Sequence, residues 1–222
     1  MAMLVEGASD ARFLTSIVQR TGEQLVLQHG RTVTDVLAPL IVRRQPGEDL
    51  AASVLRAARQ ASGYHCLIVH ADADRRDPAQ AHVKRMQPGI AQVIAARAKE
   101  PGLCDQIVPL IPVHMTEAWM LADAEALCAI IGTVMGAADI GLPLQPHEVE
   151  GIADPKRVLH QAIQRALAGR PRRRRQIERA EIDEPLARQI SLAKLARVPA
   201  YQQFTDDLRH ALRTVHILNE VP

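Results

Sequence analysis

The sequence predicts an α/β protein: a mainly parallel β-sheet flanked by helices, followed by a helical C-terminal extension. Three observations point there. Tyr64 to His70 is a nearly continuous apolar run, which suits a central strand buried on both faces. Strand and helix patterns alternate up to about residue 115. Beyond Glu125 the pattern turns helical, apart from one Gly- and Pro-rich loop. The expected division is residues 1–131 as the α/β domain and 132–222 as a helical extension packed on it, or both as one continuous domain.

The elements follow in order. Ala2 to Val5 is short and apolar and breaks at Glu6-Gly7, as a strand entering a loop does. Ser9 then suits the N-cap of a helix through about Gln19, with Phe13, Leu14, Ile17 and Val18 on one stripe. Gln24 to Gln28 and Thr32 to Val36 read as weak strands or loops. After the Pro46-Gly47 break, Glu48 to Ala61 is an Ala-rich amphipathic helix that Gly63 ends. The strand ending at His70 runs into Ala71-Asp72. Asp77 is placed as a cap before Pro78, which opens a helix reaching about Lys99. Gln106 to Val113 is β-rich, but Pro109 and Pro112 make it an irregular or edge strand. Thr116 is expected to cap a helix carrying Glu117, Trp119, Met120 and Leu121, with Trp119 in the core and Asp123 capping or ending it. Gly132 to Gly151 is a connecting loop, and helices are expected over Pro155–Ala168, Leu186–Ala196 and Tyr201–Val215.

Bulk composition narrows the function classes. With 222 residues, 47% hydrophobic and 23% charged, the chain can bury a full core. Aromatics make up only 2%, too few for a base-stacking platform that reads single-stranded nucleic acid. Net charge is +2, which by itself implies no nucleic-acid partner. The distribution says more. Arg170, Arg172, Arg173, Arg174 and Arg175 form either a solvated basic loop or a phosphate-backbone contact patch. Cys66, Cys104 and Cys128 are widely spaced and form no CxxC pair, so free thiols are expected and structural zinc is not. The N-terminus enters a strand with Glu6 almost at once, so no signal peptide is expected. No uncharged apolar run approaches the roughly 18 residues that span a bilayer. A reducing cytoplasmic setting without membrane attachment is the expectation.

Chemistry concentrates in the carboxylates. Asp72 and Asp74 follow an apolar strand, Glu6 follows another, and carboxylates at such strand ends can converge on one hard cation. Mg²⁺ takes oxygen ligands, usually one or two carboxylates with waters and substrate phosphate oxygens. His70 and His114 read as satisfied strand-end histidines, the alternatives being a metal-shell contact for His70 and a phosphate contact for His114.

Val5-Glu6-Gly7 with Asp10, then Asp72-x-Asp74, resembles the TOPRIM fold of primases, topoisomerases and nucleases of the overcoming-lysogenization-defect type. Glu117-Ala118-Trp119-Met120-Leu121-Ala122-Asp123 is similar to the Glu-Ala-Trp-x-Leu-Ala-Asp signature of a small Toprim-like family, domain of unknown function 4276. Asp154-Pro155-Lys156 and Tyr201-Gln202-Gln203-Phe204 are similar to that family's C-terminal region. Its members are often encoded beside an ABC- or SMC-type ATPase. The resemblance implies Glu6 as general acid/base or metal ligand, and Asp72 and Asp74 as the metal pair. It implies Asp10 and Glu117 as further metal ligands and Lys156 as the lysine that assists the transition state. One or two Mg²⁺ or Mn²⁺ ions would then serve hydrolysis of a DNA phosphodiester, with a separate ATPase as partner, in phage defence or DNA repair.

The alternative is a Toprim-like module that docks on a partner ATPase or nucleic acid without cutting. Topoisomerase chemistry is disfavoured because neither Tyr64 nor Tyr201 sits in a motif, and the length leaves little room for a primase module. A dehalogenase-type phosphatase is disfavoured because the DxD lies far from the N-terminus and continues Arg75-Arg76.

Overall fold

The computed structural model describes residues 1–73, 78–168, 177–178 and 180–220. Its centre is a four-stranded, all-parallel sheet in the order β2-β1-β3-β4, formed by β1 (Ala2–Val5), β2 (Leu40–Arg43), β3 (Leu67–His70) and β4 (Ile107–Leu110). Every residue of β1 and β3 is buried, because both strands are central and covered on each face.

Period-two alternation sorts the strand residues between two cores. Met3, Val5, Ile68, Val108 and Leu110 face α1 (Ala8–His29) and the C-terminal helices. Ala2, Leu4, Val42, Leu67 and Val69 face α2 (Leu50–Gln60) and the helical run between β3 and β4. That run comprises α3 (Pro78–Ala81), a π-helical turn (His82–Met86) and α4 (Gln87–Arg97). The chain therefore leaves β1 on one face and β3 on the other. Their adjacent C-terminal ends form the topological switch point, where open α/β sheets bind ligands.

The C-terminal half contributes α5 (Glu117–Met120), α6 (Ala124–Ile131), a 3₁₀ segment (Pro146–Gly151), α7 (Pro155–Leu167), α8 (Ala180–Gln189), α9 (Leu192–Leu195) and α10 (Pro199–Thr214). Their buried residues join Met3, Phe13 and Ile68 in one apolar cluster running from β1 to Leu218. Trp119 is fully buried and meets Tyr201 edge-on at 5.3 Å between ring centroids. Polar clamps fix the same faces. Arg20 donates to the carbonyls of Ala187 (2.7 Å) and Ile190 (2.8 Å), where a cation suits the end of α8. Arg12 meets the buried Asp183 at 3.1 Å, and the Thr21 and Tyr201 hydroxyls lie 2.7 Å apart.

Several local expectations are corrected. The first helix is capped at Gly7 rather than Ser9, and it runs through Gln24–Gln28 to His29. Leu25 is buried while Leu27 is exposed, which is helical spacing and not a strand's. The second strand is Leu40–Arg43, and Thr32–Val36 forms none. Thr116 makes no side-chain cap; its hydroxyl turns elsewhere. The helix expected over Leu186–Ala196 is split where Ser191 caps α9 by accepting from the Lys194 amide. Asp77 lies outside the described residues. The three cysteines are free thiols, and burial pushes that of Cys66 up to about 12. Among the described residues no helix is long and apolar enough to cross a membrane.

Candidate active site at the C-terminal edge of the sheet

Strand register dictates which side chains meet beyond the sheet. Val5 pairs with Arg43, and the Arg44 amide donates to the Val5 carbonyl at 3.2 Å, so Glu6 and Arg44 leave the sheet side by side. Their side chains form an ion pair between Arg44 Nη1 and Glu6 Oε1. Leu4 pairs with Val69 and His70 with Leu110, which puts His70 on the face that α1 covers. Asp72 follows His70 by two residues.

Glu6 and Asp72 share one edge. Arg85, carried on the π-helical turn, donates from Nη1 to the Asp72 carbonyl at 2.5 Å and approaches Glu6 Oε1 with Nη2 at 3.4 Å. Single π turns recur at functional sites. Arg44 is steadied in turn: its Nη2 donates to the Glu48 carbonyl at 3.1 Å. The Glu48 carboxylate is itself committed to Arg56 at 2.7 Å, which holds its carboxyl down at about 2.

A second chain of contacts joins Asp10 to Asp72. Thr116 Oγ1 donates to Asp10 Oδ1 at 3.0 Å and lies 3.1 Å from His70 Nε2. That imidazole nitrogen is 3.3 Å from Asp72 Oδ1, within ion-pair distance but outside hydrogen-bond geometry. Asp10 also accepts from the Gly7 amide at 3.1 Å, so it caps α1 and faces the site at once. Strand ends β1, β2 and β3 and the loop after β4 thus deliver Glu6, Arg44, Asp72 and Thr116 to one place.

Four buried polar atoms along this edge make no hydrogen bond within the described residues: Arg44 Nε, His70 Nδ1, Asp72 Oδ1 and His114 Nε2. His114 also holds a left-handed backbone at φ 61°. Buried polar groups are normally partnered, so such a concentration marks a place that interacts with something else.

The other expected residues fall as follows. Asp74 and Arg170, Arg172, Arg173, Arg174 and Arg175 lie outside the described residues. Glu117 opens α5 one residue beyond Thr116 and is half-buried. Lys156 is exposed on the first turn of α7, and no hydrogen bond or ion pair joins it to Glu6, Asp10 or Asp72. Sequence reasoning missed Arg44 and Arg85 and read Thr116 as a cap. Had β2 been placed at Leu40–Arg43, the one-residue step from each strand end would have matched Arg44 to Glu6.

The carboxylates that would face a divalent cation are those of Asp72 and Asp10. Asp72 Oδ1 is a buried oxygen lacking a hydrogen bond, and it is linked through His70 and Thr116 to Asp10. Among the described residues no three His, Cys, Asp or Glu side chains could hold a metal by themselves. Two carboxylates of this kind would leave most positions on a hard cation to water and phosphate oxygens.

A family model described as a domain of unknown function (DUF4276) matches residues 5–209. The chain belongs to that family. The DUF4276 match runs from the last residue of β1 into α10, so it takes in every strand end that builds the site. No curated protein and no solved structure matches the chain.

Proposed function

We propose that this DUF4276 protein is a Toprim-type, divalent-metal-dependent phosphodiesterase acting on DNA, in concert with a separate ABC- or SMC-type ATPase in phage defence or repair. One observation carries the reading. Glu6, Asp10 and Asp72 all lie at the C-terminal edge of the sheet beside its switch point, tied there through Arg85 and Thr116, with Asp72 Oδ1 buried and lacking a hydrogen bond. A divalent ion held by Asp72 and Asp10 would supply Lewis acidity to the attacking water and to the scissile phosphate. Glu6 is the group to take the water's proton once it parts from its arginines. Thr116 orients Asp10, and its hydroxyl also contacts His70 beside Asp72. The free thiols support a reducing, cytoplasmic setting.

The test is nicking of supercoiled plasmid with Mn²⁺ by the wild type, Glu6→Ala and Asp72→Ala. A loss of at least about 100-fold in each variant is expected, the range for removing a general base or its equivalent. Equal activity in all three would sink the proposal. Unchanged turnover by Lys156→Ala would remove that lysine from the reaction.

A second reading, a module that binds nucleic acid or an ATPase without cutting, draws on the neutralisation of Glu6 by Arg44 and Arg85. Calorimetry with Mg²⁺ and Mn²⁺ separates the two, since binding that disappears in Asp72→Ala supports the first.

A further inference from the structure

We infer that Arg44 and Arg85 form a binding subsite for one phosphodiester group, and that the Glu6 carboxylate stands where a phosphate oxygen would sit. The inference rests on the phosphodiester reading above and assigns the part of the site that recognises substrate.

Two guanidinium groups converge on a single carboxylate oxygen, Glu6 Oε1. Both guanidinium groups are fixed from behind by backbone carbonyls, Arg44 by Glu48 and Arg85 by Asp72. Such pre-positioned forks favour planar, multi-oxygen anions over a point charge. Arg44 Nε is a buried donor that Glu6 leaves unanswered, and a phosphate offers further oxygens to take it. The 22-residue α1 opens at the same edge, with Gly7 next to Glu6, and adds the positive end of its dipole.

The consequence is an exchange. A phosphodiester arriving at Arg44 and Arg85 displaces Glu6, whose freed negative charge then favours a divalent cation at Asp72. Phosphate and cation binding are therefore coupled, and by linkage each strengthens the other.

The experiment measures binding of a fluorescently labelled single-stranded DNA by anisotropy at fixed salt in EDTA, with inorganic phosphate as competitor. Glu6→Gln removes the internal rival and should bind roughly tenfold tighter than the wild type. Arg44→Gln and Arg85→Gln should each bind at least about fivefold more weakly and lose competition by phosphate. The lysine variants at both positions keep the charge and should fall between, so a folding defect in one glutamine variant does not decide the matter. Binding by Glu6→Gln that equals or falls below the wild type overturns the subsite, as do unshifted arginine variants. Tightening in Glu6→Gln without acid-dependent nicking keeps the subsite and removes the hydrolysis. Acid-dependent nicking with no shift in binding does the reverse.

Discussion

A threonine hydroxyl has one proton to donate. At Thr116 it goes to Asp10 Oδ1, so the contact with His70 Nε2 is one the hydroxyl receives, and the imidazole must carry its proton on Nε2. Thr116→Val should remove both links and leave the buried His70 and the half-buried Asp10 each one partner short. A loss of about 1–3 kcal/mol is expected in urea denaturation, and Thr116→Ser should restore most of it. This residue also shows what a sequence conceals. Glu6 and Asp72 were legible because each follows an apolar strand, and strand ends are where α/β sites form. Thr116 was read as a cap because a hydroxyl residue precedes a helical stretch, whereas its partner is 106 positions away. Arg44 and Arg85 have no local mark that sets them apart from the other arginines. One is selected by strand register, the other by a π turn, and neither shows in composition or spacing.

At the scale of elements, α2 and α4 approach closely at Gly89. A Cβ added there would stand 2.8 Å from Val54 Cβ and 3.1 Å from Ala51 Cα. Gly89→Ala should therefore cost about 1–3 kcal/mol through overpacking, measurable as a lowered denaturation midpoint, although alanine is the better helix former. The junction of α6 and α9 is held differently. Asp123 caps α6 through the Ala126 amide, accepts from the Ser191 amide, and meets Lys194 at 2.7 Å. Burial opposes its charge, but Lys194 and the two amides outweigh that and hold its carboxyl below the ordinary 3.8. A depressed folded value means the contribution is complete above 3.8 and fades as pH falls through the lowered value. Urea melts from about pH 5 to about pH 3 should show Asp123→Asn closing on the wild type as acid is added. The helices α2, α7 and α10 were legible from apolar periodicity. The second strand was not, since four residues after a proline give little period to detect and an edge position removes the need for a long apolar run.

Across the whole molecule, one apolar cluster joins the sheet face over α1 to α6, α7, α8 and α10. Removing everything after residue 131 would uncover that face. A chain of residues 1–131 should bind a hydrophobic dye and lose near-ultraviolet ellipticity, while the full chain should unfold in one transition. Native folding of the short chain would refute the shared dependence. The sole tryptophan lies within this cluster, with no exposed surface and its edge-to-face partner on α10. Its intrinsic emission therefore reports from the seam between early and late parts of the chain, without any label. Light from that one indole should shift to longer wavelength only when α10 leaves, giving a native optical clock for the last step of assembly.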